Sequence, residues 1–495
     1  MVPVLLIAVP LLTGLITFFL KNERSARGWA LLSSLITLVV SLAGLFVLKD
    51  AKYMAQQFEW MGSLNSSFSV KLDGLGQVLC LLNAVAFPAI FIATWRTSYS
   101  KANSFFALML LMQAGMMGVF LAMDALLFYF FWELALIPAY FLCSQWGGPR
   151  RIPVTFKFFI YTFVGSLLML VGILYIYFHS PDRSFDIASF YNSRISAREQ
   201  TWVFWLLFIA FAVKMPVFPF HTWQPDTYEQ SPAAVTMVLS GVMVKMGVFG
   251  VLRWLLPVLP DASWAWGDTV STLAVAGMIY ASLIAIRQDD LKRLVAYSSI
   301  AHIGLMCVTI FSVNNIGMQG VMIQMFNHGI NIIGLWIGAE IIERQFGTRK
   351  LSELGGLAQK APVLAIFFVI IALANIALPL TNAFVGEFMM FTGIFTSKAT
   401  HYNIWLTVFA GICIILAAVY TLNLVRKIFY GNISEKVANA KDIWFNEKLI
   451  LGIIVVLIFW MGIYSQPFLN ITKNVSTEIT NTILEKPAIN RYLKK

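Results

Sequence analysis

The chain has 495 residues, of which 59% are hydrophobic and 12% are charged, and its formal net charge at pH 7 is +11. Soluble domains carry roughly 25% charged residues, so this composition excludes a soluble globular protein. Repeated runs of about 20 apolar residues predict helices that cross a membrane, and their continuity excludes the alternating pattern of a β-barrel strand.

Fourteen membrane spans are predicted. They form an all-α polytopic fold, and residues 1–495 are predicted to be a single transmembrane domain. The first run, from Val2 to Leu20, has no positive residue before it, whereas Lys21 and Arg24 follow it. This polarity predicts a retained first helix and argues against a cleaved signal peptide. In chain order the predicted spans are 2–20, 28–48, 75–95, 104–121, 124–145, 154–178, 201–220, 233–256, 267–286, 291–311, 317–342, 362–396, 404–428 and 448–468.

The seventh and twelfth spans are predicted to be broken helices. Pro216 and Pro219 interrupt the seventh span, and Pro379 and Gly386 interrupt the twelfth, which is unusually long. The breaks stand five spans apart, and a five-helix repeat crosses the membrane an odd number of times, so its second copy must be inverted. The pattern predicts two inverted repeats with ion sites at the broken helices. The predicted repeats are residues 104–256 and 267–428.

The topology is predicted from the loops. An even number of spans puts both chain ends on one side, and the loops of that side carry fewer Lys and Arg than those of the other. By the positive-inside rule, both termini are predicted on the outer, periplasmic side of the cell's inner (plasma) membrane.

Three charged residues lie within apolar sequence. Glu133 sits in LLFYFFWELALIPAYFL, Lys214 precedes the first proline break, and Lys245 lies near the middle of the eighth span. A charge at the bilayer centre costs roughly 2.5 to 3.5 kcal/mol on insertion scales, and such residues usually mark ion or proton paths. The alternatives are a packing role for Glu133 and lysines that extend to the membrane interface. Burial favours the neutral form of a lysine and a neighbouring carboxylate favours the charged form, so a lysine balanced between them can load and release a proton.

Three further residues extend this hypothesis. His302 and His328 lie in the tenth and eleventh spans, and histidine is the side chain best suited to relay protons near neutral pH. A histidine hydrogen-bonded within the core is the alternative, and a bis-histidine haem is a weaker rival because no attachment motif is present. Glu387 follows the break at Pro379, where exposed backbone groups can hold water or ions, so it is a candidate for proton exit.

Several kinds of chemistry find no support. No Walker A sequence, dinucleotide fingerprint or hydrolase elbow occurs. The four cysteines lie singly, without CxxC, so neither a disulfide framework nor an iron–sulfur or zinc site is predicted. No recognition motif accompanies the positive charge, so nucleic acid is not a predicted partner. The chain is predicted to bind no cofactor or metal and to draw its energy from a gradient or from partner subunits.

Six motifs occur in an order that carries a family resemblance: WELALIPAYFL, AVKMPVFPFHTWQPD, MVKMGVFGVLR, DDLKRLVAYSSIAHIG, NHGI and FVGEF. Together they resemble the antiporter-like subunit M of NADH-quinone oxidoreductase, subunit 4 of respiratory complex I. The resemblance implies a fourteen-helix subunit with two inverted five-helix repeats and broken seventh and twelfth helices. It also implies one proton channel, driven by quinone reduction in distant subunits.

The resemblance implies roles for the residues singled out above. They are an ion pair of Glu133 and Lys214, a central Lys245, a relay of His302 and His328, and the twelfth-helix carboxylate Glu387. It further implies a non-redox subunit whose partners are membrane lipid and the other membrane-arm subunits, adjacent antiporter-like ones included. NADH, FMN, iron–sulfur clusters and quinone would then reside on those partner subunits.

The sequence departs from the family pattern in two places. Gln224 and Tyr228 stand where the family usually has leucine and a second histidine, and Asn382 and Ala383 replace a small residue and glycine before FVGEF. Two other classes stay open: a subunit of a multi-subunit cation/proton antiporter, and a membrane scaffold of a redox complex such as a membrane-bound hydrogenase. The residues do not distinguish proton from sodium.

Overall fold

Each of the fourteen predicted spans has a helical counterpart in the computed structural model, which describes residues 1–48 and 50–485. Within these residues, ten helices are long and apolar enough to cross a membrane, so the chain is a multi-pass all-α membrane protein. Fourteen crossings stay a prediction, because the other counterparts are shorter or less apolar.

The helices before the first break are α1 Val2–Thr17, α2 Glu23–Phe46, α3 Ala51–Met54, α4 Gly74–Ala93, α5 Ala102–Leu121, α6 Ala125–Trp146, α7 Arg151–His179, α8 Ile187–Tyr191 and α9 Ala197–Lys214. Those after it are α10 Trp223–Gln230, α11 Ala233–Val238, α12 Val244–Gly250, α13 Pro260–Arg287, α14 Leu291–Phe311, α15 Asn315–Phe346, α16 Pro362–Asn375, α17 Asn382–Phe395, α18 Asn403–Phe429, α19 Phe445–Ile463 and α20 Gln466–Leu484. Single 3₁₀ turns form at Gly62–Leu64, Leu351–Glu353 and Leu357–Gln359.

Both predicted helix breaks are present. α9 ends at Lys214, two residues before Pro216, and α10 begins at Trp223; α16 and α17 are separated at Pro379. Pro lacks the N–H that a continuous helix needs, so the chain leaves the helix at these points. The prediction for Gly386 is wrong: it lies inside α17, where a Cβ would collide with Gln324. That glycine permits close packing of α17 on α15. The repeat boundaries 104–256 and 267–428 stay predictions.

The eighth span holds two irregularities that the sequence does not reveal. A π-helical segment, Leu239–Met243, precedes α12, and a second, Val251–Leu255, follows it. A π turn shifts the backbone hydrogen bonds by one residue and leaves a carbonyl free for another donor. Lys245 lies in the short α-helix between these segments.

A two-stranded hairpin interrupts the otherwise helical fold. Strands β1 Ala55–Met61 and β2 Ser66–Lys71 pair antiparallel, with Phe58 opposite Phe68. The sequence predicts no membrane span in this region, which lies between the spans 28–48 and 75–95. The hairpin is short and lies between membrane helices, so its hydrophobic signal is weak beside the spans on either side.

The loops alternate between two faces of the bundle. Asp124 forms a bridge with Asp186, which joins the segments after α5 and α7, whereas Asp290 bridges Lys350 and joins the segments after α13 and α15. Asp124 also accepts hydrogen bonds from the backbone N–H groups of Leu126 and Leu127 and caps α6. The assignment of either face to the cell exterior stays a prediction.

One ion pair anchors the eighth span to α4. The Arg253 guanidinium lies 2.5 Å from the Asp73 carboxylate, and the two side chains are only 10% and 12% exposed. Asp73 also accepts a hydrogen bond from Gly76 N at 3.0 Å and so caps α4. Since both charges are largely withdrawn from water, each depends on the other for compensation.

We expect Asp73→Ala to lower the stability of the protein by roughly 3 to 5 kcal/mol, because it leaves a buried guanidinium without its partner. The apparent melting temperature of the purified protein measures this loss. The exposed pair Lys52–Asp50, with 3.7 Å between its charged atoms, provides the control. Lys52→Ala should change the melting temperature little. Equal melting of the two variants would contradict a structural role for the Asp73–Arg253 pair.

Candidate functional site

Lys245 is fully buried and lies within hydrogen-bonding distance of a histidine. Its Nζ donates a hydrogen bond to the Ser240 carbonyl at 2.9 Å and lies 2.8 Å from His328 Nδ1. Ser240 belongs to the π-helical segment Leu239–Met243, whose shifted backbone explains why a carbonyl is within reach of the ammonium. The arrangement gives Lys245 one fixed acceptor and one acceptor that can itself take a proton.

His328 connects Lys245 to the tenth span. Its Nε2 lies 3.2 Å from Ser299 Oγ on α14, and its ring centroid is 5.8 Å from that of His302. Ser299 and His302 are three residues apart and therefore neighbours on one face of α14. A hydroxyl and a second imidazole thus lie next to the first imidazole.

His302 pairs in turn with Glu387. Its Nδ1 lies 3.1 Å from Glu387 Oε1, and Gln324 Nε2 donates to the same oxygen at 3.3 Å. Beside His302, Glu387 and Tyr420 is a cavity of about 20 Å³, which is enough for one water molecule. Glu387 reaches this place because α17 restarts after the break and brings the carboxylate into the bundle.

Asn375 and Tyr420, like Ser299 and Gln324, are residues of this site that sequence reasoning missed. Asn375 Nδ2 donates to Ser298 Oγ at 3.2 Å and lies 3.4 Å from His302 Nε2, and the Tyr420 hydroxyl donates to the same Ser298 oxygen at 3.0 Å. Asn375 is the last residue of α16, next to the break. A lone amide before a break and a tyrosine in an apolar run are the signals that would have found them.

Glu133 and Lys214 lie near each other without a hydrogen bond between them. The Glu133 carboxylate acts electrostatically on the buried Lys214 ammonium, yet Lys214 Nζ and Glu133 Oε1 each have no hydrogen-bond partner. The ammonium also lies 5.4 Å from the centroid of the Trp132 ring, within the range of a cation–π contact. The ion pair implied by the resemblance is therefore open in this structure.

The glycines of the eighth span bring its central lysine close to the first break. A Cβ at Gly247 would lie 2.6 Å from the Phe211 carbonyl and 2.7 Å from Met215 N. Any larger residue would push α12 away from α9, the helix that ends at Lys214. The structure therefore places Lys214 and Lys245 on adjacent helices, with both side chains buried.

The charged residues near the end of α15 form ion pairs with other helices. Glu343 lies 2.5 Å from Lys292 on α14, while Arg344 pairs with Glu447 on α19. Sequence neighbours one residue apart point in different directions on a helix, so partners on other helices prevail.

Comparison with known proteins gives consistent matches across the chain. Residues 122–417 match the family described as NADH:quinone oxidoreductase/Mrp antiporter, TM, and this range contains all six predicted site residues. The chain is 33% identical to F(420)H(2) dehydrogenase subunit M of Methanosarcina mazei, covering 97% of this chain and 99% of that protein. It is 34% identical to NADH-quinone oxidoreductase subunit M of Rickettsia typhi, with coverage of 94% and 96%.

The fold is also similar to a solved structure. A chain of respiratory complex I from Thermus thermophilus with bound NADH aligns with a TM-score of 0.90 at 26% sequence identity. The alignment covers 98% of this chain and 100% of that chain.

Proposed function

Since the chain belongs to the NADH:quinone oxidoreductase/Mrp antiporter transmembrane family, we propose that it is the antiporter-like M-type subunit of a complex I-type oxidoreductase and translocates protons. One observation carries this proposal: the direct contact of 2.8 Å between Lys245 Nζ and His328 Nδ1. It joins a buried ammonium to an imidazole that can accept its proton and pass it onward.

The proposed path uses each contact in turn. Lys245 gives a proton to His328 Nδ1, and the proton on Nε2 moves through the Ser299 hydroxyl toward His302. His302 then delivers a proton to the Glu387 carboxylate, 3.1 Å away. Each step passes between neighbouring groups, which general acid–base transfer requires. Loss of the proton from Glu387 completes the transfer.

The chemistry of the path favours the proton over sodium. Hard metal cations prefer several oxygen ligands, whereas the groups that connect Lys245 to His302 include an ammonium and two imidazoles. A charged lysine also repels a metal ion. Transport by the reconstituted complex in sodium-free buffer tests this assignment; a strict requirement for sodium would favour the cation-antiporter alternative.

We assign the open pair of Glu133 and Lys214 to control of proton loading. The carboxylate favours the charged lysine when it is near, and burial favours the neutral lysine when it is distant. A closed, permanently hydrogen-bonded pair would hold its proton. An open pair can switch between the two states as the separation changes.

We expect Glu133→Gln to reduce proton transport strongly while the fold survives, because the amide cannot stabilise the charged form of Lys214. Transport is measured in vesicles with the intact complex that carries Glu133→Gln, Lys214→Ala or both substitutions. If the residues act as one unit, the double variant loses little more than either single variant. Fully additive losses would contradict the switch. The exposed β1 residue Glu59, changed to Gln, serves as the control.

The assembly and its location complete the proposal. The partners are other membrane-arm subunits, among them adjacent antiporter-like subunits. NADH, FMN, iron–sulfur clusters and quinone reside on partner subunits. This chain performs no redox chemistry. The complex lies in the cell's inner (plasma) membrane with both termini of this chain outside. Mass spectrometry of the purified complex tests the partner set: hydrogenase subunits or small antiporter subunits in place of dehydrogenase subunits would overturn it.

A further inference from the structure

The helix that carries Glu387 packs on α15 along a seam of glycines. A Cβ added at Gly320 on α15 would lie 2.9 Å from Met390 N on α17, and one added at Gly393 on α17 would collide with Gly317 Cα. Small residues let two membrane helices approach closely. They offer few side chains that interlock, so the seam alone does not fix how far α17 slides along α15 or turns about its own axis.

The break before α17 does not fix its direction either. In the segment 376–381, Ala377 has φ +57° and Leu380 has φ +73°. Residues other than glycine rarely adopt this left-handed conformation, which costs roughly 1 to 3 kcal/mol per residue and persists only where the surroundings impose it. The N-cap residue Thr381 gives α17 no side-chain cap, since its hydroxyl donates to the Leu378 carbonyl at 2.6 Å. The start of α17 therefore has to be held by another part of the fold.

Two asparagines of α15 hold the first residue of α17. Asn327 Nδ2 donates to the backbone carbonyl of Asn382 at 2.7 Å, and Asn382 Nδ2 donates to Asn331 Oδ1 at 3.0 Å. All three side chains are fully buried. Among the described residues, Asn327 Oδ1 and Asn331 Nδ2 have no partner, so each of these two amides makes its hydrogen bond to α17. Together Asn327, Asn331 and Asn382 form an amide clamp.

The clamp lies close to the Glu387 carboxylate. Glu387 follows Asn382 by about one and a half helical turns. Its Oε1 accepts a hydrogen bond from Gln324 Nε2 at 3.3 Å and lies 3.1 Å from His302 Nδ1. Gln324 is three residues before Asn327 and therefore lies on the same face of α15. One face of α15 thus contacts α17 both at its first residue and at its carboxylate.

We infer that Asn327, Asn331 and Asn382 are positioning residues, which set the height and rotation of α17 and thereby direct the Glu387 carboxylate to His302. Each residue of a helix is turned by about 100° from the one before it, so a small rotation at the clamp would carry the carboxylate away from the imidazole. The consequence for proton delivery rests on the proposed function. Asn382 is a position where this sequence departs from the family motif, so the bond from its side chain to Asn331 is a feature of this chain.

Infrared spectroscopy of the intact complex tests the positioning without reference to proton transport. Asn327→Leu keeps most of the side-chain volume and removes the donor. Asn83→Leu is the matched control, because Asn83 is also fully buried, donates through Nδ2 to a backbone carbonyl, that of Gln113 at 3.1 Å, and has an Oδ1 without a partner. Both substitutions therefore remove the same kind of hydrogen bond.

The carboxyl band of Glu387 is identified as the infrared band that is absent from Glu387→Gln. We expect this band to shift in Asn327→Leu, because release of α17 changes the hydrogen bonds of the carboxyl group, and to stay in place in Asn83→Leu. An unchanged band in Asn327→Leu, or the same shift in both variants, would overturn the positioning role.

A double-mutant cycle tests the consequence for transport. A misplacement of about 1 Å can cost about a hundredfold in rate, so we expect Asn327→Leu to lower proton transport about tenfold or more and Asn83→Leu to leave it nearly unchanged. In a complex that already carries Glu387→Gln, Asn327→Leu should cause little further loss, because no carboxylate is left to position. An equal further loss in that background would mean that Asn327 acts independently of Glu387 and would overturn the inference.

A milder variant covers the case in which the complex with Asn327→Leu does not assemble. Asn382→Ala removes the side-chain bond to Asn331 and leaves the backbone carbonyl for Asn327, and the same band shift and the same dependence on Glu387 are expected of it. If the band shifts as expected while the unsubstituted complex moves no protons, the proposed function fails and the positioning of the carboxylate stands.

Discussion

We expect Lys245→Ala to abolish proton translocation through this chain. The Lys245 ammonium is the group that contacts His328 Nδ1, at 2.8 Å, and alanine leaves that imidazole without its proton source. In a tightly coupled complex, quinone reduction should also lose much of its rate, because a stalled proton path opposes the driving step. Vesicle acidification and electron-donor oxidation, measured on the same preparation, give both quantities.

Lys245→Arg separates charge from proton transfer in the same experiment. Arginine keeps the positive charge but does not release its proton in proteins, so this variant should also fail to pump. Lys52→Ala, at a side chain that is 67% exposed, is the control and should pump normally. A complex with Lys245→Ala that assembles and pumps at the unchanged rate would refute the assignment, and so would normal pumping by Lys245→Arg.

We expect Glu387→Gln to impair release of the proton while the complex still assembles. The amide keeps the shape of the side chain and can keep the contact with Gln324, but it cannot take the proton from His302. A hydrogen bond to a charged group contributes roughly 1.5 to 3 kcal/mol, and its loss in the transfer step corresponds to a rate decrease of about tenfold or more.

The measurement is the acidification of vesicles per electron donor oxidised. Glu387→Asp keeps a titratable carboxylate on α17 and should recover part of the lost transport, which a purely structural role would not require. If the acidification per electron donor oxidised is unchanged in Glu387→Gln, Glu387 only packs beside His302 and does not carry the proton.

The amino-acid sequence by itself determined the class of the protein and singled out the candidate site residues. A lipid environment allows few ways to satisfy the backbone, so long apolar runs become helices regardless of their neighbours. Proline cannot continue a helix, so the breaks after Lys214 and near Pro379 are local consequences of the chain. Charged and imidazole groups within apolar runs are rare because they are costly, and this rarity pointed to Lys245, His328 and Glu387 before any contact was known.

Only the tertiary structure decided which of these groups touch. The contact of Lys245 with His328 joins residues 83 positions apart, and it depends on the face that each helix presents to the other. The π-helical segment Leu239–Met243 has no sequence signature of this kind, since the same residues would suit an ordinary α-helix. Whether Glu133 and Lys214 are open or closed, and whether Gly386 breaks a helix or permits close packing, depends on neighbours from distant parts of the chain. Helix formation in lipid is a local property, whereas the direction of a buried side chain is fixed by packing between helices. For that reason the contacts among the candidate site residues emerged only from the assembled bundle.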